Sequence, residues 1–229
     1  MGRTTKEKKS GSRVKICCLI LIAYLTTLKT QANSHSLGQF TQVSGEVTFF
    51  NFTGLRKVSS VSEREKLVTE GSYLTKDNSF FTANLNNEGW LRVSPRSKIA
   101  MEYDPNSKTL KISLFTGSLK VLISSTDKMT FLDRVIIQSA GATFEAVDAK
   151  FTISRNNLED TSSAYVEKGA VLATQYIQYE KKDSEILHSN ETTTINDRVE
   201  DISSPRKMTN KEIKFLHPSQ YLKNSKTNF

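Results

Sequence analysis

Cysteine is nearly absent from this 229-residue chain: only Cys17 and Cys18 occur, side by side in an apolar run near the start. Beyond that run there is no disulfide, no thiolate nucleophile and no cysteine-based metal site to expect. Histidine is scarce too, with His35, His188 and His217 scattered along the chain. No His/Cys/Asp group has metal-ligand spacing. There is no Gly-x-Ser-x-Gly elbow, no phosphate-binding glycine loop and no dinucleotide fingerprint. No apolar run reaches the about 20 residues that a membrane-spanning helix needs. The inventory yields no catalytic residue, no metal ligand and no cofactor. The chain therefore reads as a non-enzyme, and its composition leaves the ligand-binding residues unknown.

The charge balance excludes a second class. A net charge of +8 suggests a nucleic-acid binder only when it is spread over the folded domain. Here residues 1–32 carry seven Lys or Arg and a single acid, Glu7, which leaves 25 basic against 23 acidic residues elsewhere. Nucleic acid is not an expected partner.

Residues 1–32 have the organisation of a signal peptide. A basic stretch ends at Lys15, an apolar stretch runs from Ile16 to Leu28, and Thr30-Gln31-Ala32 supplies a small-x-small cleavage site. A periplasmic or secreted protein is the expectation. The alternative is an inner-membrane anchor formed by an uncleaved segment 16–28, which is short for a span. Lipidation is excluded, because Lys15 and Ile16, not small residues, precede Cys17.

From about residue 40 to 178 the chain is dense in strand signals: β-branched and aromatic residues alternate with polar ones, and turn residues interrupt them. Expected strands include 45–49, 67–75 with a bend at Glu70-Gly71, 80–85, 90–93, 99–103, 109–114, 119–123, 134–138, 142–147, 151–154, 164–167 and 171–175. Asn86-Asn87-Glu88-Gly89 reads as a hairpin with positive φ at its glycine, Asp104-Pro105-Asn106-Ser107 as a turn, and Thr116-Gly117-Ser118 as another turn. Residues 58–66 are polar and read as an exposed loop. Gly45, Gly71, Gly89, Gly117, Gly141 and Gly169 fall at strand junctions, where they mark turns or bulges. The fold class is all-β, a sandwich or a β-solenoid-like stack of short strands.

Residues 179–229 differ in character. They are rich in Lys, Asn, Ser and Thr, and Pro205 and Pro218 interrupt them. A disordered C-terminal tail is expected, since so little apolar surface cannot offset chain entropy. Ile213, Phe215, Leu216, Tyr221 and Leu222 form a sparse apolar set within it, suited to docking.

Two sets of residues come nearest to a site. Asp133, Glu145 and Asp148 are close in sequence, as a glycosidase pair would require. Glu145, however, alternates with Phe144 and should face solvent. Phe49, Phe50, Phe52, Phe80, Phe81 and Trp90 would either fill the core or form a stacking surface. Adjacent pairs such as Phe49-Phe50 put one ring on each face of a strand, so an uncovered ring would mark a contact surface. Asn51-Phe52-Thr53 and Asn190-Glu191-Thr192 are formal glycosylation triplets.

The order of several short motifs resembles the FecR-domain family. The pieces are Val43-Ser44-Gly45-Glu46-Val47, then Leu67-Val68-Thr69-Glu70-Gly71-Ser72-Tyr73-Leu74-Thr75, then Pro95-Arg96-Ser97-Lys98-Ile99. Leu114-Phe115-Thr116-Gly117-Ser118-Leu119-Lys120-Val121 follows, then residues 137–144 with Phe151-Thr152-Ile153, and finally Glu167-Lys168-Gly169-Ala170-Val171. The resemblance covers about residues 43–174. Asp148-Ala149 stands where that family has Gly-Thr, and Ser139 where it has Thr. The resemblance implies an all-β envelope module that binds another protein, or a cell-wall polymer, in envelope signalling. Only fifteen residues precede the apolar run, too few for a cytoplasmic anti-sigma segment, so a stand-alone exported domain is expected. A self-associating scaffold protein and a carbohydrate-active enzyme are the alternatives.

Overall fold

The computed structural model describes residues 36–52, 58–124, 131–198 and 202–209. The signal-peptide segment and the apolar set at 213–222 lie outside them. The described residues contain sixteen strands and no helix, hence no helix long and apolar enough to cross a membrane. In chain order they are β1 Ser36–Ser44, β2 Val47–Asn51, β3 Val58–Ser60, β4 Lys66–Val68, β5 Gly71–Thr75 and β6 Phe80–Asn84. Then come β7 Gly89–Val93, β8 Lys98–Asp104, β9 Thr109–Ile123, β10 Arg134–Ser139 and β11 Ala142–Ala146. The last are β12 Ala149–Asn156, β13 Thr161–Ile177, β14 Glu180–His188, β15 Glu191–Asn196 and β16 Arg206–Lys207.

Pairing sorts them into two sheets that share two long strands. Sheet A runs β4-β1-β6-β7-β9-β12-β13-β15-β16. Sheet B runs β3-β2-β5-β8-β9-β10-β11-β13-β14. The first half of β9 lies in sheet B and its second half in sheet A; β13 crosses the other way. Every pairing is antiparallel except β9 with β10. That exception follows from the crossing: β9 ends in sheet A, so the chain must travel back before Arg134 settles beside Thr109.

The crossings explain the residue pattern. In β9, Leu110, Ile112 and Leu114 are buried before the crossing, and Leu119, Val121 and Ile123 after it. The inward set changes from even to odd positions, and Gly117, at φ +88°, takes up the extra residue. β13 repeats the device: Ala164 and Val166 are buried before Gly169 (φ +82°), Val171 and Ala173 after it. A backbone at such angles strongly favours glycine. The expected turn at 116–118 is thus a bend inside one continuous strand, and the expected strands 164–167 and 171–175 are one strand.

The inner faces of the two sheets meet in one apolar core. At one end the contact is aromatic: Tyr73 of sheet B meets Phe40 and Phe81 of sheet A edge-on or tilted, at centroid distances of 5.7 and 5.5 Å. The Tyr73 hydroxyl donates to the Val68 carbonyl at 3.0 Å and accepts from the Val68 amide at 3.1 Å, tying sheet B to strand β4.

Three expectations are corrected. Residues 58–66 are not all loop, because β3 pairs with β2 and Val61 is buried. Positive φ in the β6–β7 hairpin falls on Asn86 and Asn87, not on Gly89. The polar segment expected to be a tail from residue 179 belongs to the domain as far as it is described: β14 to β16 extend both sheets, and Leu187 and Ile195 reach the core, while residues 210–229 lie outside the described residues. Edge strands need few apolar residues, which is why composition alone misplaced them.

Candidate interaction surface

On the outer face of sheet B, the side chains opposite the core residues form a row across five strands. Lys111 of β9 is in register with Ile136 of β10, Ile136 with Glu145 of β11, Glu145 with Leu172 of β13, and Leu172 with Ile186 of β14. Each flanks inward residues such as Ile112, Val135, Phe144, Val171 and Leu187, so pleating turns all of them outward. The row is apolar at its β14 end, where Ile186 is 56% exposed and Leu172 half-exposed. Tyr176, near the end of β13, and Val147 and Tyr179, on neighbouring turns, add exposed apolar surface. An open groove of about 880 Å³ runs beside it, bounded by Lys111, Ile136, Gln138, Thr143, Tyr176 and Tyr179.

One side of this surface is braced by charge. Arg134 contacts Glu145 at 3.0 Å and donates from Nε to Thr109 Oγ1 at 3.0 Å. At the rim, Asp197 follows β15, accepts from the Gly141 amide at 3.2 Å and pairs with Arg155, the end of β12. Burial pushes the Asp197 carboxyl up, more than Arg155 pulls it down. This pair fastens a sheet A strand end to the β10–β11 hairpin of sheet B.

Strand β14 closes sheet B. Among the described residues it pairs only with β13. Five of its nine residues are charged: Glu180, Lys181, Lys182, Asp183 and Glu185. Mixed charges along an edge discourage indiscriminate pairing with other strands.

The residues singled out by sequence separate. Asp133 lies 3.9 Å from Lys108, Glu145 is held by Arg134, and Asp148 is exposed in the β11–β12 turn. Glu145 is half-exposed on the outer face, as its alternation with Phe144 indicated. The aromatic set does not share one surface. Phe81 is in the core, Phe49 packs on Tyr73 at 4.8 Å, Phe80 lies beneath Arg92, Trp90 is on the outer face of sheet A, and Phe52 is exposed at the end of β2. Phe40, Phe49 and Tyr73 line a smaller pocket of about 250 Å³. His188 is exposed, and His35 and His217 are outside the described residues. No group of three or more His, Cys, Asp or Glu among the described residues is placed to hold a metal. Sequence reasoning missed Leu172, Tyr176, Tyr179 and Ile186; Leu172 and Ile186, opposite the buried Val171 and Leu187, were the available signal.

Fold and surface together define an all-β, two-sheet protein with exposed apolar residues beside an edge strand that pairs on one side among the described residues. Two crystal structures of a "putative anti-sigma factor" from Parabacteroides distasonis are similar to it, each with a TM-score of 0.51, at 11% and 10% identity. The match covers 64% of this chain and 65% and 64% of the other chains, so the chain spans just under two thirds of their length. At this identity the likeness is one of fold. No known family profile matches the sequence. No curated protein matches it either.

Proposed function

We propose that the chain is an exported, non-catalytic module of the FecR type that binds another envelope protein and acts in envelope signalling. The observation that carries this reading is the exposed apolar pair Leu172–Ile186 on the outer face of sheet B, at the edge strand β14, with Ile136 two strands away beyond Glu145. Exposed apolar side chains grouped on one face of a folded domain mark a place where something else sits. The fold shared with two putative anti-sigma factors supports a signalling role for whatever sits there. Binding would join two modes: apolar contact on the face, and backbone hydrogen bonds from β14 to an added strand. The five charges of β14 make the added strand a selective one and argue against self-association as a scaffold.

The test is retention of a partner from envelope extract on the tagged chain, against the variant Leu172→Asp/Ile186→Asp. Both positions are exposed, so the variant should keep its stability within about 0.5 kcal/mol. The partner should be captured by the wild type and lost from the variant. Equal capture by both proteins would remove this face from the account.

A further inference from the structure

The opposite outer face, that of sheet A, holds a row of hydrogen-bond donors with too few acceptors. Arg92 of β7 is in register with Lys120 of β9, Lys120 with Thr152 of β12, and Thr152 with Tyr165 of β13. Leu91, Val93, Leu119, Val121, Phe151 and Ile153 take the inner face, so the row points outward. A second row beside it holds Trp90, Leu122 and Lys150. Adjacent strands stand about 4.8 Å apart, so successive donors are spaced for one small group to bridge.

The local charge does not balance. Glu167 is clamped by two ammonium groups, Lys120 on Oε1 and Lys150 at 2.8 Å from Oε2. Lys120 and Glu167 are sunk into the face, with side chains only 15% and 12% exposed. Arg92 lies over the Phe80 ring at 4.4 Å and forms no ion pair with any described carboxylate. Three cations therefore share one anion. Burial holds Arg92 below its usual value, and it holds Lys120 below its own in spite of the Glu167 partner that pulls the other way. An independent observation comes from Thr152. Its side-chain hydroxyl is buried, with the residue only 6% exposed, and has no hydrogen-bond partner. Buried hydroxyls without a partner are exceptions in folded proteins and call for an explanation.

We propose that the outer face of sheet A binds an oxyanion, the carboxylate or phosphate group of a ligand, at Arg92, Lys120 and Thr152. The Arg92 guanidinium offers a two-pronged fork that matches either group. Lys120, held in place through Glu167, adds a point charge, and the Thr152 hydroxyl donates the remaining hydrogen bond. Trp90 and Leu122 give the rest of the ligand an apolar bed. The site lies on the sheet opposite the partner-binding face and does not depend on it.

Trp90 is the chain's only tryptophan, so its emission reports on this face directly. The chain is titrated with inorganic pyrophosphate, with hexaglutamate and with neutral hexaglutamine, at low and at moderate salt. A saturable change is expected with pyrophosphate or hexaglutamate, weakened by salt and absent with hexaglutamine. Which anion saturates tells whether phosphate or carboxylate is the natural group. Arg92→Gln and Thr152→Val should each weaken binding at least about tenfold. Thr152→Val keeps shape and removes only the unpartnered hydroxyl, so it carries the test should Arg92→Gln fail to fold. Lack of saturation with both anions, or unchanged affinity in both variants, would overturn the proposal.

Discussion

Replacing Gly117 with alanine attacks the joint that lets β9 belong to both sheets. Gly117 has φ +88°, and a methyl group there would lie 2.6 Å from the Ser97 Cα and closer still to its hydroxyl. Ser97 is fully buried and cannot move aside cheaply: its hydroxyl accepts from the Ser118 amide at 3.0 Å, its amide donates to Thr75 Oγ1 at 2.9 Å and its carbonyl accepts from the Thr75 amide at 2.9 Å. Three costs follow. A left-handed backbone costs a side-chain-bearing residue about 1–2 kcal/mol. Overpacking a full core costs about 1–3 kcal/mol. Displacing the Ser97–Ser118 hydrogen bond costs about 1 kcal/mol. The variant should lose about 3–6 kcal/mol, a large part of the about 5–15 kcal/mol that holds a typical domain together. Urea unfolding followed by Trp90 emission measures it well, since Trp90 is in register with Leu122 on the same strand. Ser97→Ala is the control, removing the hydrogen bonds without the clash, and should lose about 1–2 kcal/mol. A Gly117→Ala variant within about 1 kcal/mol of wild type would show that β9 is not bent there, and the two-sheet argument would fail with it.

Two further perturbations probe polar contacts that no strand pattern reveals. The Glu88 carboxylate, in the β6–β7 hairpin, accepts from the amides of Phe131 at 3.0 Å and Leu132 at 2.6 Å. Glu88→Ala should cost about 2–4 kcal/mol and expose those two amides to hydrogen exchange first; unchanged protection there would contradict the assignment. Tyr73→Phe removes both hydrogen bonds to Val68 and should cost about 1–2 kcal/mol at pH 8. Burial raises the Tyr73 phenol above its usual 10.0, so the folded protein keeps this proton where the unfolded chain loses it. The stability it contributes is complete below about pH 10 and declines as pH rises further. At pH 11 the wild type should have lost about 1.4 kcal/mol that the phenylalanine variant keeps, closing the gap between them. An equal gap in urea unfolding at pH 8 and pH 11 would refute this.

Most strands from β2 to β13, β3 excepted, were legible because their side chains alternate between core and solvent: Leu110, Ile112 and Leu114 announce a half-buried strand from the sequence alone. The joining of sheets was not legible. The change from even to odd positions around Gly117 and Gly169 looks the same whether the chain reverses or bends across to the facing sheet, and only tertiary pairing decides. Strands β1 and β14 to β16 were hidden for another reason. They lie at or near sheet margins, where β14 buries Leu187 alone, so their composition is that of a loop. The candidate surface was less visible still. Leu172 and Ile186 are ordinary strand residues in sequence, and they become a patch only when β13 and β14 pair in the observed register. The donor row on sheet A likewise spans residues 92 to 165 and exists only through cross-strand register.

The central claim is that the outer face of sheet B is where this domain meets its partner. Site-specific photo-crosslinking in intact cells tests it, with the crosslinker placed in turn at Leu172, Ile186 and Tyr179, and at the exposed Leu158 between β12 and β13 as a control. The account predicts one discrete protein adduct shared by the first three positions and absent from Leu158. A shared adduct at Leu158 with none at Leu172 or Ile186 would contradict it.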